Sequence, residues 1–205
     1  MRGGISTFSI DVYVQEIEGV WYGVAIRQGE VYATTFSFEM EDAIQRIKRS
    51  LPKRLKPIVW RTTDLQAYTE LFHALHRIFN GENPEFQFKL NMDHLTSYQK
   101  RVLLCLMEVP KGYVTTYGSL AKVAGGSARA VGNVMARNPF PLVVPCHRVV
   151  PHDLTVGNFG HGREVKRELL AREDEGFTRP AYKEIEGRKL ALFPVKFIKG
   201  IKQPH

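Results

Sequence analysis

Three segments near the N-terminus are dominated by apolar and β-branched residues and are rich in Val, Ile, Tyr, Phe and Thr. This composition predicts β-strands. Short turn sequences at 18–19 and 28–30 separate the segments, and turns of this kind are typical of hairpins. We therefore expect an antiparallel meander with strands at residues 5–14, 20–28 and 31–38.

The spacing of apolar residues then changes to that of helices. It predicts one helix at Met40–Ser50 and another at 65–79, joined through a basic loop at 52–57. The sequence Asn-Gly-Glu-Asn-Pro at 80–84 is a strong stop signal and marks a candidate domain boundary. The first domain, residues 1–90, is therefore expected to be a β-rich α/β domain with a structural role.

The second half of the chain has helical features. Thr96 and Gln99 form a capping box that opens a third helix. A short helix at 117–123, a double-glycine turn and a helix at 128–136 follow. Two helices joined by a glycine turn are typical of the helix-turn-helix motif. We therefore expect residues 91–176 to form a mostly helical domain with a helix-turn-helix DNA-binding motif.

The second helix of this pair, which Ser127 is placed to cap, carries small residues and one long cation. Helices that enter the major groove usually offer Asn, Gln, Arg and Lys to the base edges, whereas here Ala128 and Arg129 are followed by Ala, Val and Gly. Small side chains and a single Arg wedge indicate minor-groove docking with little sequence readout. A small-residue helix packed tightly against a neighbour explains the same pattern, and the helix alone leaves both interpretations open.

An apolar run at residues 142–150 contains Cys146, His147 and Arg148. The run predicts a buried strand. A reactive cysteine needs a nearby base or cation that lowers its pKa, but neighbouring side chains of a regular strand point to opposite faces. For His147 to serve Cys146, directly or through water, the chain must turn there, and Pro145 favours such a break.

A carboxylate extends the apolar face of the helix that follows Gly162. Val165, Leu169 and Glu173 are four residues apart and lie on one line of that helix. The C-terminal end of a helix disfavours an anion, so an inward Glu173 is a candidate to orient an imidazole in a Cys–His–Glu relay. An exposed acid at a frayed helix end is the alternative.

Composition narrows the class of protein. With 43% hydrophobic and 24% charged residues among 205, disordered, collagen-like and coiled-coil classes are excluded. No apolar run is long enough for a membrane span and no secretory signal is visible, so we expect a cytoplasmic protein without membrane contact.

Cys105 has no titrating neighbour and is expected to be inert. His73 and His76 lack further ligands, so we expect no metal site.

The formal net charge of +8 belongs to the C-terminal half. Residues 1–95 carry 11 basic and 12 acidic groups, residues 96–176 carry 11 and 7, and residues 177–205 carry 7 and 2. Such a surplus suits a polyanionic partner, and a merely basic solvated surface is the alternative.

In the basic extension at 177–205, apolar and polar residues alternate weakly at 189–198. They are expected to form either a strand packed on the body or a tail ordered against the surface.

The sequence around the cysteine resembles the signature of a known family. Residues 145–149, Pro-Cys-His-Arg-Val, are similar to the motif of the O6-alkylguanine-DNA alkyltransferases, or methylated-DNA–protein-cysteine methyltransferases. Residues 113–175 follow the family pattern almost without gaps, at Tyr117-Gly118, 128–132, 137–139, 156–158 and 166–173. Residues 1–95 match only in general layout, and the extension lies beyond the family's usual end.

The resemblance implies an α+β fold and a DNA-repair activity. The alkyl group of O6-alkylguanine, and less readily of O4-alkylthymine, would pass irreversibly from double-stranded DNA to the protein's own cysteine. The nucleotide would be flipped out from the minor groove, because the target carbon is inaccessible inside a duplex. The resemblance implies a single turnover, no cofactor and no metal. We expect a monomer located in the cytoplasm, or in the nucleus of a eukaryote.

The resemblance also implies roles for individual residues. Cys146 would accept the alkyl group, His147 would take the thiol proton through water, Glu173 would hold the His147 tautomer, and Asn138 would brace the turn. The implied DNA-binding and base-binding residues are Tyr117, Ala128, Arg129, Arg148, Val149, Gly157, Asn158, Phe159 and Gly160. Of these, Tyr117 would crowd the 3′ phosphate of the target nucleotide, which helps to rotate it, and would donate a proton to the base. Arg129 would fill the space that the base leaves in the DNA stack. Val149 and residues 157–160 would form the walls of the base pocket.

Two departures from the family pattern matter. Many relatives have Tyr then Ser where this chain has Phe159 and Gly160, which removes a side-chain hydroxyl but leaves the Gly160 N–H. The zinc ligands of some relatives are absent, because residues 1–95 contain no cysteine.

Two other functions remain as alternatives: a lesion-binding protein that recruits repair factors without transfer, and a Cys–His hydrolase. The presence of Cys146 favours transfer over the first, and the basic C-terminal half disfavours the second.

Overall fold

The computed structural model describes residues 8–61 and 68–201. The chain divides into two units, which we describe separately. The first consists of Met1–His76, Glu85–His94 and Pro139–Pro141, and the second of Arg77–Pro84, Leu95–Asn138 and Leu142–His205.

The first unit contains the expected meander. Strands β1 (Phe8–Ile17), β2 (Val20–Arg27) and β3 (Glu30–Ser37) pair antiparallel in sequence order. Glu18 and Gly19 both have positive φ, at 50° and 78°, as a tight hairpin turn between twisted strands requires. The meander prediction is confirmed from Phe8 onward, and residues 5–7 of its first strand lie outside the described residues.

A fourth strand, β4 (Leu55–Arg61), runs parallel to β1 and gives the sheet order β3-β2-β1-β4. The prediction of a loop at 52–57 is therefore wrong from Leu55 onward. Pro57 pairs with Ile10 at the edge of the sheet, where a residue without an N–H is tolerated. Proline indicated a break, but an edge strand accommodates it.

Two helices belong to this part of the chain. Helix α1 (Met40–Ser50) has the predicted bounds and buries Ala43, Ile44 and Ile47, and Ile47 joins the core of the sheet. Helix α2 is Thr69–Phe79, and residues 65–67 of its predicted range lie outside the described residues. On α2, His76 shares a hydrogen bond with the Tyr22 hydroxyl and His73 is exposed. Among the described residues no group of three metal-ligating side chains occurs.

The second unit begins with the predicted helices. Helix α3 (Ser97–Met107) has the capping box, with Thr96 accepting from the Gln99 N–H and Gln99 accepting from the Thr96 N–H. Strand β5 (Tyr113–Thr116) leads directly into α4 (Tyr117–Ala124). Helix α5 (Ala128–Met135) follows, and the Ser127 side chain caps it by accepting from the Ala130 N–H. The helix-turn-helix prediction is confirmed.

The turn between α4 and α5 requires glycine. Gly125 and Gly126 have φ of 83° and 84°, which a side chain rarely adopts. A Cβ on Gly126 would also lie 2.5 Å from the Tyr98 hydroxyl oxygen. The ring of Tyr98 therefore packs directly against the turn, and its hydroxyl donates to the Gly125 carbonyl.

The segment 142–150 is not the predicted strand. Only Val149–Val150 (β6) is a strand, and Cys146–Arg148 form one turn of 3-10 helix. Pro145 lacks an N–H, and Leu142 has a φ of 73°. Both features break an extended chain. The expected turn at Cys146 is present.

The last elements are α6 (Arg163–Arg172), β7 (Ala181–Ile185) and β8 (Arg188–Pro194). The second sheet has the order β6-β5-β8-β7, with β6 parallel to β5 and the other pairs antiparallel. Of the two interpretations of the extension, the structure shows the strand. In the described part of the chain, no helix is long and apolar enough to cross a membrane.

Candidate active site

The turn that carries Cys146 is held by backbone hydrogen bonds and one side chain. The Cys146 N–H donates to the Val144 carbonyl (2.8 Å), and the Arg148 N–H donates to the Pro145 carbonyl (2.9 Å). The Asn138 side-chain amide donates to the same Val144 carbonyl at 2.9 Å. Because Asn138 is the third residue after the end of α5, this bond fixes the start of the turn relative to that helix. The sequence indicated a brace at Asn138 only through the family resemblance.

The side chain of Glu173 lies against His147. Its Oε1 is 2.9 Å from Nε2 of His147, and both side chains are almost fully buried, at 1% and 0% exposure. Glu173 is the C-cap of α6, so the helix dipole opposes its charge. The i, i+4, i+8 line from Val165 indicated this inward position.

Arg148 offsets the cost of that buried charge. Its Nε donates to Oε2 of Glu173 (2.8 Å) and its Nη2 donates to Oε1 (2.9 Å), a bidentate pair of the strong kind. Its Nη1 donates to the Val109 carbonyl at 2.7 Å. The resemblance implied that Arg148 binds DNA, but the structure places it in the interior, where it holds the carboxylate.

The carboxyl group of Glu173 is ionised as a result. Burial alone would raise its pKa, but His147 and Arg148 outweigh burial and lower the pKa to about 2. An ionised carboxylate can only accept, so Nε2 of His147 carries the proton of their hydrogen bond. Nδ1 of His147 is then the basic nitrogen. It is buried and has no hydrogen-bond partner among the residues that the structure describes.

The thiol of Cys146 is neutral in the resting site. Burial raises its pKa, and the Asn138 amide and the nearby Lys166 only partly offset this. Neighbouring groups do lower the pKa of this cysteine, but desolvation of the thiolate outweighs them, so the net direction is upward. Cys105 is also buried, as expected, and burial raises its pKa too.

Lys166 is a component of the site that our sequence analysis did not assign. It is fully buried and donates from Nζ to the Val149 carbonyl at 2.7 Å. Burial lowers its pKa to about 8, while Cys146 acts in the opposite direction. A usable signal existed, because Lys166 is three residues before Leu169 and seven before Glu173, which places it on the buried face of α6.

Tyr117 lies close to the reactive turn. The pairing of Thr116 with Val150 aligns the ends of β5 and β6, and Tyr117 is the next residue, the first of α4. Burial and the nearby Cys146 raise the pKa of Tyr117. The phenol therefore keeps its proton near neutral pH and can donate it.

The other residues implied by the resemblance differ in their exposure. Val149 is buried beside the turn, whereas Ala128 and Arg129 are exposed at the start of α5. In the 157–160 segment, Asn158 and Gly160 are exposed and Phe159 is half-buried. Gly157 has a φ of 70°, and a Cβ there would lie 2.8 Å from Pro151. This segment therefore requires glycine at its start.

Comparison with known proteins places these features in a family. Residues 97–175 match the family model described as 6-O-methylguanine DNA methyltransferase, DNA binding domain. The methylated-DNA–protein-cysteine methyltransferase of Thermococcus kodakarensis is 38% identical over 154 residues, which cover 74% of this chain and 87% of the relative. That of Thermococcus gammatolerans is 39% identical over 160 residues, with coverages of 75% and 88%.

Solved structures of such methyltransferases have a fold similar to that of this chain. The O6-methylguanine-DNA methyltransferase of Pyrococcus kodakaraensis strain KOD1 has a TM-score of 0.61 at 34% identity, covering 80% of this chain and 98% of that chain. The Mycobacterium tuberculosis OGT in complex with DNA has a TM-score of 0.62 at 25% identity, covering 80% and 92%. These matches, together with the α+β fold and the helix-turn-helix, place the protein in the class of DNA-repair alkyltransferases. The chain belongs to the methylated-DNA–protein-cysteine methyltransferase family.

Proposed function

We propose that this protein repairs O6-alkylguanine in double-stranded DNA by moving the alkyl group, once and irreversibly, onto the Sγ atom of Cys146. The observation that carries this proposal is the hydrogen bond between His147 Nε2 and Glu173 Oε1, in the turn that also presents Cys146. This bond leaves Nδ1 of His147 as the acceptor for a proton. A buried, neutral thiol with a base in the adjacent residue suits a nucleophile that is activated only when substrate is present.

The reaction exchanges one bond for another. His147 takes the thiol proton, directly or through a water molecule, and the Cys146 sulfur attacks the alkyl carbon. The bond between that carbon and the guanine oxygen breaks, and a thioether forms. The guanine leaves neutral because Tyr117 donates a proton to it, and Tyr117 regains a proton from the His147 imidazolium or from solvent. The net proton transfer is from the thiol to the guanine.

The target base must leave the duplex first. Flipping a nucleotide costs a few kcal/mol, and DNA contacts must offset that cost. The exposed start of α5 carries Ala128 and Arg129. We infer that the small residue lets the helix approach the minor groove, while Arg129 fills the space that the base vacates. Tyr117 would press on the 3′ phosphate and favour rotation.

The flipped base would bind between Val149 and the 157–160 segment. Gly160 lacks a side-chain hydroxyl but retains an N–H that can donate to the guanine oxygen. Phe159, whose ring centroid is 5.2 Å from that of His161, supplies an apolar wall. Asn138 holds the turn that presents the nucleophile, and Arg148 acts indirectly by holding Glu173.

A thioether is not readily hydrolysed, so the protein is consumed by the reaction. We propose that it acts as a monomer without a cofactor, because donor, acceptor and nucleophile all come from one chain. Intact-protein mass spectrometry after incubation with an O6-methylguanine duplex tests this. We expect a gain of one methyl group in place of one hydrogen, located on Cys146 by peptide mapping.

The variant Cys146→Ala is the control for that experiment. It is expected to gain no mass and still bind the duplex, because the exposed start of α5 is unchanged. Tight binding by wild type without any mass gain would overturn the proposal and indicate a lesion-binding protein instead. Repeated turnover on an ester or peptide would indicate a hydrolase.

A further inference from the structure

The C-terminal extension is part of the second sheet. We call residues 181–199 the C-terminal brace; they lie beyond the residues that the family model matches. Within the brace, β8 pairs with β5 through Val114 and Phe193, and β7 covers the outer edge of β8. Val195 and Ile198 pack in one hydrophobic cluster with Val150 of β6. The extension thus supports both β5, which leads into Tyr117, and β6, which follows the turn that carries Cys146.

The brace also contacts the first turn of α4. The Ala191 N–H donates to the Ser119 hydroxyl oxygen at 2.8 Å. In return the Thr115 hydroxyl donates to the Ala191 carbonyl, also at 2.8 Å. Ser119 and Thr115 are each two residues from Tyr117, one on α4 and one on β5. One residue of the brace therefore fixes the chain on both sides of Tyr117.

A second contact lies at the other end of α4. Nη1 of Arg188 donates to the Val123 carbonyl at 3.2 Å, and a cation at a helix C-terminus is favourable. The helix is therefore held at its first turn and at its last turn, next to the Gly125 turn that leads to α5. The brace also reaches the loop before residue 157, where the Lys199 N–H donates to the Leu154 carbonyl at 2.8 Å.

We propose that the C-terminal brace positions Tyr117 and helix α4 for nucleotide rotation. This inference rests on the proposed function, in which Tyr117 presses on the backbone of the flipped nucleotide. A tyrosine that must push a phosphate needs a rigid support, since loss of about 1 Å in placement can lower a rate by up to about a hundredfold. Ser119 and Arg188 are positioning residues in this scheme and do not touch the substrate.

The test uses the double variant Ser119→Ala, Arg188→Ala. It removes two hydrogen bonds between the brace and α4 that depend on these side chains, from the Ala191 N–H to the Ser119 hydroxyl and from Arg188 to the Val123 carbonyl. Single-turnover transfer is measured with saturating O6-methylguanine DNA, as a duplex and as a single strand of the same sequence. We expect the duplex rate constant to fall roughly five- to tenfold, and the single-strand rate to stay within about twofold, because the single strand has no base pair to break. DNA affinity should change little, whereas a loss of folded protein would lower the amplitudes of both reactions and not their rate constants.

Lys189→Ala is the matched control, because it removes the same charge from the neighbouring exposed residue and leaves both contacts in place. It should react with duplex at the wild-type rate. A wild-type duplex rate in the double variant, an equal loss on both substrates, or an equal effect of Lys189→Ala would each overturn the inference. If the double variant does not fold, Arg188→Ala alone is expected to show the same selective loss, because Arg188 is exposed. A wild-type protein that transfers no methyl group would refute the proposed function, and the inference that rests on it would fall with it; active wild type with an unaffected double variant would refute the inference alone.

Discussion

At the scale of single residues, Glu173 sets the charge and the proton positions of a buried cluster. It receives three N–H donors, one from His147 and two from Arg148, and they hold it ionised in the protein interior. The carboxylate in turn assigns the proton of His147 to Nε2. A buried charge with several donors is stable only as a complete set, since removing one member leaves the others unpaired.

The pH dependence of stability tests this account through Glu173→Gln. The folded pKa of about 2 is below the usual value of 4.5, so the carboxylate stabilises the fold above about pH 4.5. The contribution is lost as the pH falls toward 2. We expect the variant to lower the free energy of unfolding by about 3 kcal/mol at pH 7, with the gap narrowing in acid. Urea denaturation from pH 7 to pH 3 measures it.

Glu168→Gln is the control, since it neutralises an exposed acid on the same helix. It should change stability by less than about 0.5 kcal/mol. A difference between wild type and Glu173→Gln that stays constant down to pH 3 would contradict the assigned ionisation.

The residues of the site were predictable to different degrees. The inward position of Glu173 could be predicted from helical spacing, because Glu173 follows Val165 and Leu169 at intervals of four residues on the apolar face of the helix. The pKa shift of Cys146 could not be predicted, since its direction depends on burial that only the folded chain creates. The position of Arg148 was missed for a related reason: its partners are a distant carboxylate and a backbone carbonyl, and no sequence pattern encodes such pairs. Lys166 was missed although its spacing to Leu169 and Glu173 places it on the buried face of α6.

At the scale of elements, the start of α5 offers the clearest prediction. Arg129→Ala removes the one long side chain from an otherwise small-residue surface. We expect transfer from duplex DNA to slow by roughly tenfold or more. Without Arg129 no side chain fills the space that the flipped base vacates, so the cost of flipping is no longer offset. Transfer from the free modified base should be nearly unchanged. Equal losses on the two substrates would contradict a wedge role.

A second prediction concerns the segment Pro139–Pro141, which belongs to the first unit. Thr34 of β3 donates from its N–H to the Pro139 carbonyl (2.8 Å) and from its hydroxyl to the Pro141 carbonyl (2.9 Å). Phe140 between them is fully buried. Thr34→Val keeps the shape and removes the hydroxyl, so a buried carbonyl loses its donor. We expect a loss of about 1–3 kcal/mol in unfolding free energy.

Urea denaturation of Thr34→Val measures this loss. Thr34→Ser is the matched control, because it retains the hydroxyl and is expected to keep most of the stability. If the serine and valine variants lose stability equally, the methyl group of Thr34 matters and the hydrogen bond does not.

Among the elements, those with local signals were predicted well. The meander, α1 and the capped helices α3 and α5 follow from periodicity, turn residues and caps. Strand β4 was missed because Pro57 signals a break, while its place at the sheet edge depends on pairing with β1, which is distant in sequence. The strand predicted at 142–150 failed because Pro145 and a positive φ at Leu142 outweigh its apolar composition.

At the scale of the whole molecule, the charge is uneven. Residues 96–205 carry 18 basic and 9 acidic groups, whereas residues 1–95 are nearly balanced. Several of the cations in the second unit already have partners, such as Arg148 with Glu173 and Lys183 with Glu108. The electrostatic attraction to DNA must therefore come from the remaining exposed cations.

Salt dependence of binding measures that attraction. We expect the affinity of Cys146→Ala for an O6-methylguanine duplex to fall by roughly tenfold to a hundredfold between about 50 and 200 mM salt, as for a protein that neutralises a few phosphates. The Cys146→Ala variant is used because it cannot react during titration. An unmodified duplex should show the same slope at lower affinity, since phosphates and not the lesion set the salt term. An affinity independent of salt would mean that the basic surplus is only a solvated surface, and that the lesion pocket alone supplies the binding energy.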